Sequence, residues 1–155
     1  MIDSLEFRRA AAHYPTGVTV VTTLDGDGRP VGLTANSFTT VSLDPPLVLV
    51  CVEGNTVPAF DSGSGFAVHV LAAGQEGLAR HFANPDIDRF QGVEWSSGYK
   101  GLPLLSGALA IFECDLHEAF DGGDHRIFVG EVHRVTSEES GRPALGFFRG
   151  GYFSV

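Results

Sequence analysis

The chain has 155 residues, 43% of them hydrophobic, and its 10 basic and 19 acidic residues give a net charge of −9. A chain of this length predicts one domain, residues 1–155, since single domains cluster at roughly 100 to 200 residues. The acidic charge repels phosphodiester backbones, so nucleic acid is not an expected partner. No apolar stretch approaches the ~20 residues that span a bilayer, so no membrane association is expected.

The chain begins with a predicted helix, MIDSLEFRRAAAHYP, which Pro15 and Gly17 bring to an end. This segment has acidic residues and no apolar core, which argues against a secretory signal peptide. The cytoplasm is therefore the expected location.

The remainder predicts six to eight strands. Their segments are residues 18–24, 31–38, 47–53, 66–71, 108–120 and 126–139, followed by ALGFF and GYFSV. A second helix is expected over 75–83, and the glycine-rich residues 91–107 are expected to form a surface loop. Tight glycine turns favour antiparallel pairing. Frequent strands without regular βαβ alternation predict a mainly β protein, a closed barrel with appended helices.

Several common functional motifs are missing. GDGRP (26–30) has no third glycine and precedes a strand, so it does not match a Rossmann phosphate loop. Cys51 and Cys114 each lie in an apolar run and are expected to be buried without redox chemistry. No metal site is predicted, because no two of the six histidines have a metal-ligand spacing. His117 and His133 could nevertheless meet across a sheet.

Three segments could carry chemistry, and each has two readings. The hydroxyls of TANSFTT (34–40) could bond their own backbone, or they could bind phosphate while small side chains admit a flat ring. Asn55 or Thr56 could cap a short helix, or the amides at its start could hold an anion. His125, in the turn GGDHR (122–126), could be merely solvated, or it could bind a carboxamide or stack on a ring.

Five segments, spread along the whole chain, stand in a characteristic order and spacing. They are PTGVTVVTT (15–23), GLTANSFTTVSLDPPLVLVCV (32–52), FAVHVL (66–71), GDHRIFVGEV (123–132) and FFRGGY (147–152). Together they resemble the short-chain flavin reductase family, the NAD(P)H:flavin oxidoreductases of two-component flavin-dependent monooxygenases. The resemblance implies an FMN-binding split β-barrel that forms a homodimer, with flavin near the subunit interface.

The resemblance also implies roles for individual residues. Flavin would contact the segments that match the family's flavin site, through Thr34, Ala35, Asn36, Ser37, Val50, Cys51, Val52, Asn55, Thr56 and, less directly, Ser62. Arg80 and Phe82 would close over the flavin tail. His125 would meet the nicotinamide, with Tyr152 beside it. The chain stops at Val155, so the C-terminal lid of longer relatives is expected to be absent.

The implied function is NAD(P)H-dependent reduction of free flavin, which is then supplied to a partner monooxygenase. The cofactors carry the chemistry and the protein supplies placement. FAD and FMN stay open as the flavin, as do NADH and NADPH as the donor. The alternatives are a non-catalytic flavin carrier or redox sensor with the same barrel, a flavin-dependent oxidase, and a β-barrel interaction module without cofactor.

Overall fold

The computed structural model describes residues 1–155. It is mainly β, with three short α-helices: α1 (Ser4–Ala11), α2 (Val57–Ser62) and α3 (Glu76–Ala83). The strands are β1 (Thr16–Gly17), β2 (Thr19–Leu24), β3 (Pro30–Ala35), β4 (Thr39–Leu43), β5 (Pro46–Glu53), β6 (Gly65–Val70), β7 (Ser96–Ser97), β8 (Pro103–Leu104), β9 (Ala110–Gly122), β10 (His125–Ser137), β11 (Leu145–Phe148) and β12 (Gly151–Ser154). The longest α-helices have eight residues, and none is long and apolar enough to cross a membrane.

Seven strands form one antiparallel sheet in the order β3-β2-β6-β9-β10-β5-β4. Its longest members are β9 and β10, of 13 residues each, and Gly123 and Asp124 form the turn between them. Gly123 has a φ of +80°, the left-handed conformation that such a tight turn favours. Strands β1, β11 and β12 form a second sheet. All strand pairs are antiparallel, which confirms the predicted pairing.

The two edge strands of the large sheet, β3 and β4, are consecutive in the chain and are separated by Asn36, Ser37 and Phe38. A flat seven-stranded sheet would be about 29 Å wide at ~4.8 Å per strand spacing. The connecting segment can extend over only about 14 Å. The sheet must therefore curve until its edges approach each other. Within this connection, the Ser37 hydroxyl accepts a hydrogen bond from the amide of Cys51 at 2.9 Å and so extends the contact between β4 and β5.

The inner face of the curved sheet encloses the main apolar core. Strand β5 shows how its sequence builds that core. Val48, Val50 and Val52 are buried, whereas Leu49 and Cys51 point to the other face and are half-buried. Full burial of such a side chain stabilises the fold by roughly 1.5–3 kcal/mol. A second core lies beneath α3 and β11 and consists of Val18, Val20, Leu71, Ala79, Phe82, Leu105 and Leu145.

His69 is fully buried near the second core. Its Nδ1–H donates to the carbonyl of Val20 at 2.9 Å, and its Nε2 accepts the N–H of Leu105 at 3.1 Å. Burial lowers the pKa of His69 to about 4, and the hydrogen bond to Val20 opposes that shift. The neutral ring therefore ties β6 to β2 and to the segment after β8.

Residues 91–107 are more ordered than the sequence predicted. They contain β7 and β8, and they bury Leu102 and Leu105. Besides His69, the Thr22 hydroxyl binds this segment by donating to the carbonyl of Pro103 at 2.6 Å. Polar groups of neighbouring strands thus hold a stretch whose own sequence shows no strand periodicity.

The prediction that both cysteines are buried is correct for one of them. Cys114 is buried, and burial raises its thiol pKa to about 12, with the charges of Asp115 and Glu113 contributing. Cys51 is only half-buried, because the alternation along β5 places it on the face opposite the core. The pairing of β10 with β9 has two register shifts, one that leaves His117 of β9 unpaired and one that leaves His133 of β10 unpaired.

Candidate functional site

A groove opens around Asn36, in the short connection between the two edge strands. Three cavities of 130, 240 and 240 Å³ share Asn36 in their walls. Their other walls come from α1, β1, β3, β11, β12 and the turns beside them, namely Arg8, Tyr14, Thr16, Thr34, Phe147, Arg149 and Tyr152. The exposed Asn36 amide makes no hydrogen bond within the chain. We call this combined space the Asn36 groove.

The side chains on either side of Asn36 are engaged in the fold. The Thr34 hydroxyl donates to the carbonyl of Ala79 on α3 at 2.6 Å. Ala35 is buried, and its carbonyl accepts a hydrogen bond from Thr19 at 2.7 Å. The Ser37 hydroxyl donates to the Cys51 carbonyl at 3.3 Å and accepts from the Cys51 amide. Of the four residues predicted to contact flavin, only Asn36 thus has a side chain free to bind a ligand. The other three could contribute mainly their backbone groups.

The three predicted contacts on β5 do not share a face. Val50 and Val52 are 0% exposed, with their side chains in the main core. Cys51 lies between them, half-buried on the outer face beside Ser37. A ligand on that face could therefore reach the side chain of Cys51, whereas only backbone atoms of Val50 and Val52 could contribute.

Helix α3 places Arg80 beside the groove. The Arg80 guanidinium lies 4.9 Å from the centre of the Tyr152 ring and is paired with Glu76 at 2.8 Å. Tyr152 in turn meets Phe147 edge-on, with 5.2 Å between ring centroids. Phe82, predicted to close over the flavin tail, is fully buried in the second core. Arg80 and Tyr152 are therefore at the groove, and the Phe82 ring supports the helix from below.

A further cavity of 190 Å³ brings Asn55 and Thr56 together with Arg89. We call it the Arg89 pocket; its remaining walls are Pro30, Val31, Gly32, Pro85, Ile87, Asp88 and Phe90. Neither Asn55 nor Thr56 caps α2 with its side chain, and the Thr56 hydroxyl instead donates to the carbonyl of Glu53 at 3.0 Å. Ser62 lies outside this pocket and donates to Ala59.

Arg89 carries a positive charge without a carboxylate partner. Its Nε donates to the carbonyl of Asn84 and its Nη1 to the carbonyl of Gly32, both at 2.9 Å. Partial burial lowers the pKa of Arg89, although a guanidinium remains charged in a protein. The two carbonyls hold the side chain in place and leave its charge uncompensated, as suits an anion-binding group.

His125 begins β10 directly opposite Glu53 at the end of β5. Its Nδ1 lies 2.7 Å from Asp124 Oδ1, and its Nε2 lies 3.7 Å from Glu53 Oε2. The hydrogen bond with His125 lowers the pKa of Asp124, and the charge of Arg8 lowers it further. Arg8 also lines the Asn36 groove. The charges of Arg8 and Asp124 thus influence each other, although no residue of the hairpin lines the three cavities around Asn36.

The sequence reasoning did not single out Arg89, Arg8, Arg149 or Glu53. Arg8 and Arg149 line one wall of the Asn36 groove, and neither takes part in an ion pair. Their positions depend on which distant segments pack together. The sequence indicated only one of these positions locally, because Arg149 belongs to the family-like segment FFRGGY (147–152). Arg149 adopts a left-handed φ of 49° there, just before Gly150.

The Asn36 groove and the Arg89 pocket lie beside the edge strands of the large sheet, in a protein of the mainly β class. The model of the family described as "Flavin reductase like domain" matches residues 11–155. The chain belongs to this family.

Two curated relatives and one solved structure illustrate the family. The chain is 45% identical over 156 residues to a "Probable flavin reductase" of Rhizobium meliloti (strain 1021), covering 99% of the chain and 50% of that relative. It is 39% identical over 156 residues to "Flavin-dependent monooxygenase, reductase subunit HsaB" of Rhodococcus jostii (strain RHA1), covering 99% and 79%. The chain thus spans half the length of the first relative and most of the second.

The structure of Streptomyces globisporus C-1027 NADH:FAD oxidoreductase SgcE6 in complex with NAD and FAD fragments superposes with a TM-score of 0.87. The two sequences are 46% identical, and the match covers 97% of this chain and 92% of that one. The likeness therefore extends over nearly the whole chain.

Proposed function

We propose that this protein uses NADH or NADPH to reduce free FAD or FMN and supplies the reduced flavin to a partner monooxygenase. The observation that carries the proposal is the groove at the connection between the edge strands, where Thr34, Asn36 and Tyr152 line one cavity. Family membership and the names of the relatives support the same activity.

The chain's own residues would bind and orient the reactants. When bound, the nicotinamide and flavin supply the reaction itself, a hydride transfer from nicotinamide C4 to flavin N5. Backbone groups around Asn36 would lie against the flat ring. The guanidinium of Arg89 and the amides near Asn55 would meet phosphate. Holding reactants at near-attack distance accounts for much of the rate enhancement in such a site.

We further propose that residues 1–155 act as one domain with a split β-barrel and that the protein is a homodimer. The three-residue link between the edge strands supports the barrel. Exposed apolar side chains support the homodimer, because a partner subunit would cover them. Helix α1 buries none of its residues and leaves Phe7 61% exposed, and Leu43 on β4 is 95% exposed. Two free cysteines suit the reducing cytoplasm, where we place the protein.

Catalysis can be tested directly. Purified protein is mixed with NADH and a several-fold excess of FAD or FMN, and NADH absorbance is followed. Repeated NADH oxidation that depends on added flavin is the expected result, and the two flavins and the two nicotinamides can be ranked in the same assay. Flavin binding without NADH oxidation would instead indicate the carrier or sensor function.

A further inference from the structure

A histidine between two carboxylates stands at the end of the central hairpin. One ligand atom from each of Glu53, Asp124 and His125 lies within 4.8 Å of the other two. The strand pairing fixes Glu53 directly opposite His125, and Asp124 precedes His125 in the tight turn. The backbone therefore holds the three side chains together, although sequence spacing alone gives no sign of it.

The hydrogen bond between Asp124 and His125 determines which ring nitrogen is available. An aspartate carboxylate is ionised near neutral pH, so Oδ1 of Asp124 can only accept a hydrogen bond. Nδ1 of His125, 2.7 Å away, must then be the donor. In the neutral imidazole, the other nitrogen, Nε2, carries a lone pair.

That lone pair faces a second acceptor. Nε2 lies 3.7 Å from Glu53 Oε2, which is too long for a hydrogen bond. Two ligands of one tetrahedral zinc ion, bound at about 2.0–2.1 Å, lie roughly 3.4 Å apart. A small side-chain movement would therefore place one cation between Nε2 and Oε2. Asp124 would then hold the opposite nitrogen, as carboxylates commonly do behind metal-binding histidines.

We propose that Glu53 and His125 bind a zinc-class divalent cation, oriented by Asp124, with water in the remaining coordination positions. The mixed nitrogen and oxygen ligands favour zinc over magnesium, which prefers oxygen ligands in an octahedron. A bound cation occupies the His125 nitrogen that a nicotinamide would otherwise meet. Zinc therefore inhibits NADH oxidation, and this second consequence alone rests on the proposed function.

Zinc binding is measured on the whole chain, without flavin or NADH, by competition with a chromophoric zinc chelator. The wild type is expected to bind one zinc ion at this site. Glu53→Gln removes a ligand, and Asp124→Asn removes the supporting carboxylate, so each should weaken binding at least about 10-fold. Both side chains are largely exposed, at 64% and 89%, so the variants should fold.

The chain offers a matched control in His117. Its Nδ1 lies 3.8 Å from Glu131 Oε2 on the neighbouring strand, but no third ligand joins this pair. His117→Gln should leave zinc affinity unchanged. Equal affinity of Glu53→Gln and wild type, or an equal loss in His117→Gln, would overturn the proposal, as would no binding below about 1 mM, an affinity of only ~4 kcal/mol.

Inhibition is measured separately. Zinc should inhibit the wild-type reductase at the concentration at which it binds, and magnesium should not. If the protein binds zinc but shows no reductase activity with any flavin, the site stands and the proposed function fails. If the protein reduces flavin but binds no zinc at this site, the proposed function stands and the zinc site fails.

Discussion

The hydroxyl of Ser37 accepts the N–H of Cys51 at 2.9 Å and donates to the carbonyl of the same residue at 3.3 Å. One side chain thereby joins the link between the two edge strands to β5. The connection holds the backbone around Asn36 in position, so it bears on both stability and ligand binding.

Ser37→Ala should therefore lower the free energy of unfolding by about 1–2 kcal/mol, because a half-buried amide loses its partner. Flavin affinity should fall as well, since the groove backbone is less restrained. Urea denaturation and a flavin titration measure the two effects. Ser154→Ala, an exposed serine on β12, is the control and should change stability by less than about 0.5 kcal/mol. An unchanged Ser37→Ala variant would contradict the structural role.

Arg89→Met should weaken binding of FMN roughly 10-fold or more, because a charge-assisted contact to phosphate contributes about 1.5–3 kcal/mol. Riboflavin, which has no phosphate, should bind the variant and the wild type alike. Fluorescence titration with both flavins gives the comparison. Arg142→Met removes an equal charge from an exposed pair with Glu138 and should leave the ratio unchanged. An equal loss for riboflavin would show that Arg89 acts on the fold and not on phosphate.

His125→Ala should raise the Michaelis constant for NADH by roughly 10-fold, the effect of losing about 1.4 kcal/mol of binding. The flavin dissociation constant should change much less. Steady-state kinetics beside a flavin titration separates the two quantities, with His117→Ala as the control histidine. A larger change in the flavin dissociation constant would refute the assignment of His125 to the nicotinamide.

His69 predicts a specific dependence of stability on pH. Its folded pKa, about 4, lies below the ordinary 6.5, so the unfolded chain binds the proton more readily. The contribution of His69 is therefore fully present above pH 6.5 and is lost as pH falls toward 4, by up to about 3 kcal/mol. His69→Leu should be less stable at neutral pH but should lose less on acidification. NMR of the wild-type imidazole provides a second check, since a titration near pH 6.5 would contradict the prediction.

The periodic elements of the fold could be predicted from the sequence. The β-branched run before Leu24 and the continuous apolar run after Pro46 have strand patterns, and both form strands. Helix α3 was predicted within one residue at its start, because Leu78 and Phe82 stand one turn apart. The order of residues 91–107 could not be predicted, because it depends on hydrogen bonds from Thr22 and His69 in distant strands.

The candidate site was predictable where it lies in one segment. Asn36 and its neighbours form a groove at the connection the sequence pointed to, and His125 directly follows the turn as the first residue of β10. Arg89 was out of reach, because its pocket combines residues from β3, the turn before α2 and the loop after α3. The resemblance assigned Val50, Cys51 and Val52 alike to the flavin. Side chains alternate along a strand, however, so Cys51 lies on the face opposite its two valine neighbours.

The short link through Asn36 has a consequence for how the protein is loaded. The segment that joins the two edge strands of the curved sheet is also a wall of the groove. A ligand bound in the groove would therefore hold this segment in place from outside. A specific ligand raises native-state stability by mass action, and at this position it would also contact the segment that joins β3 to β4. Inserting residues between Ala35 and Thr39 would therefore make both the connection between β3 and β4 and this wall of the Asn36 groove less rigid.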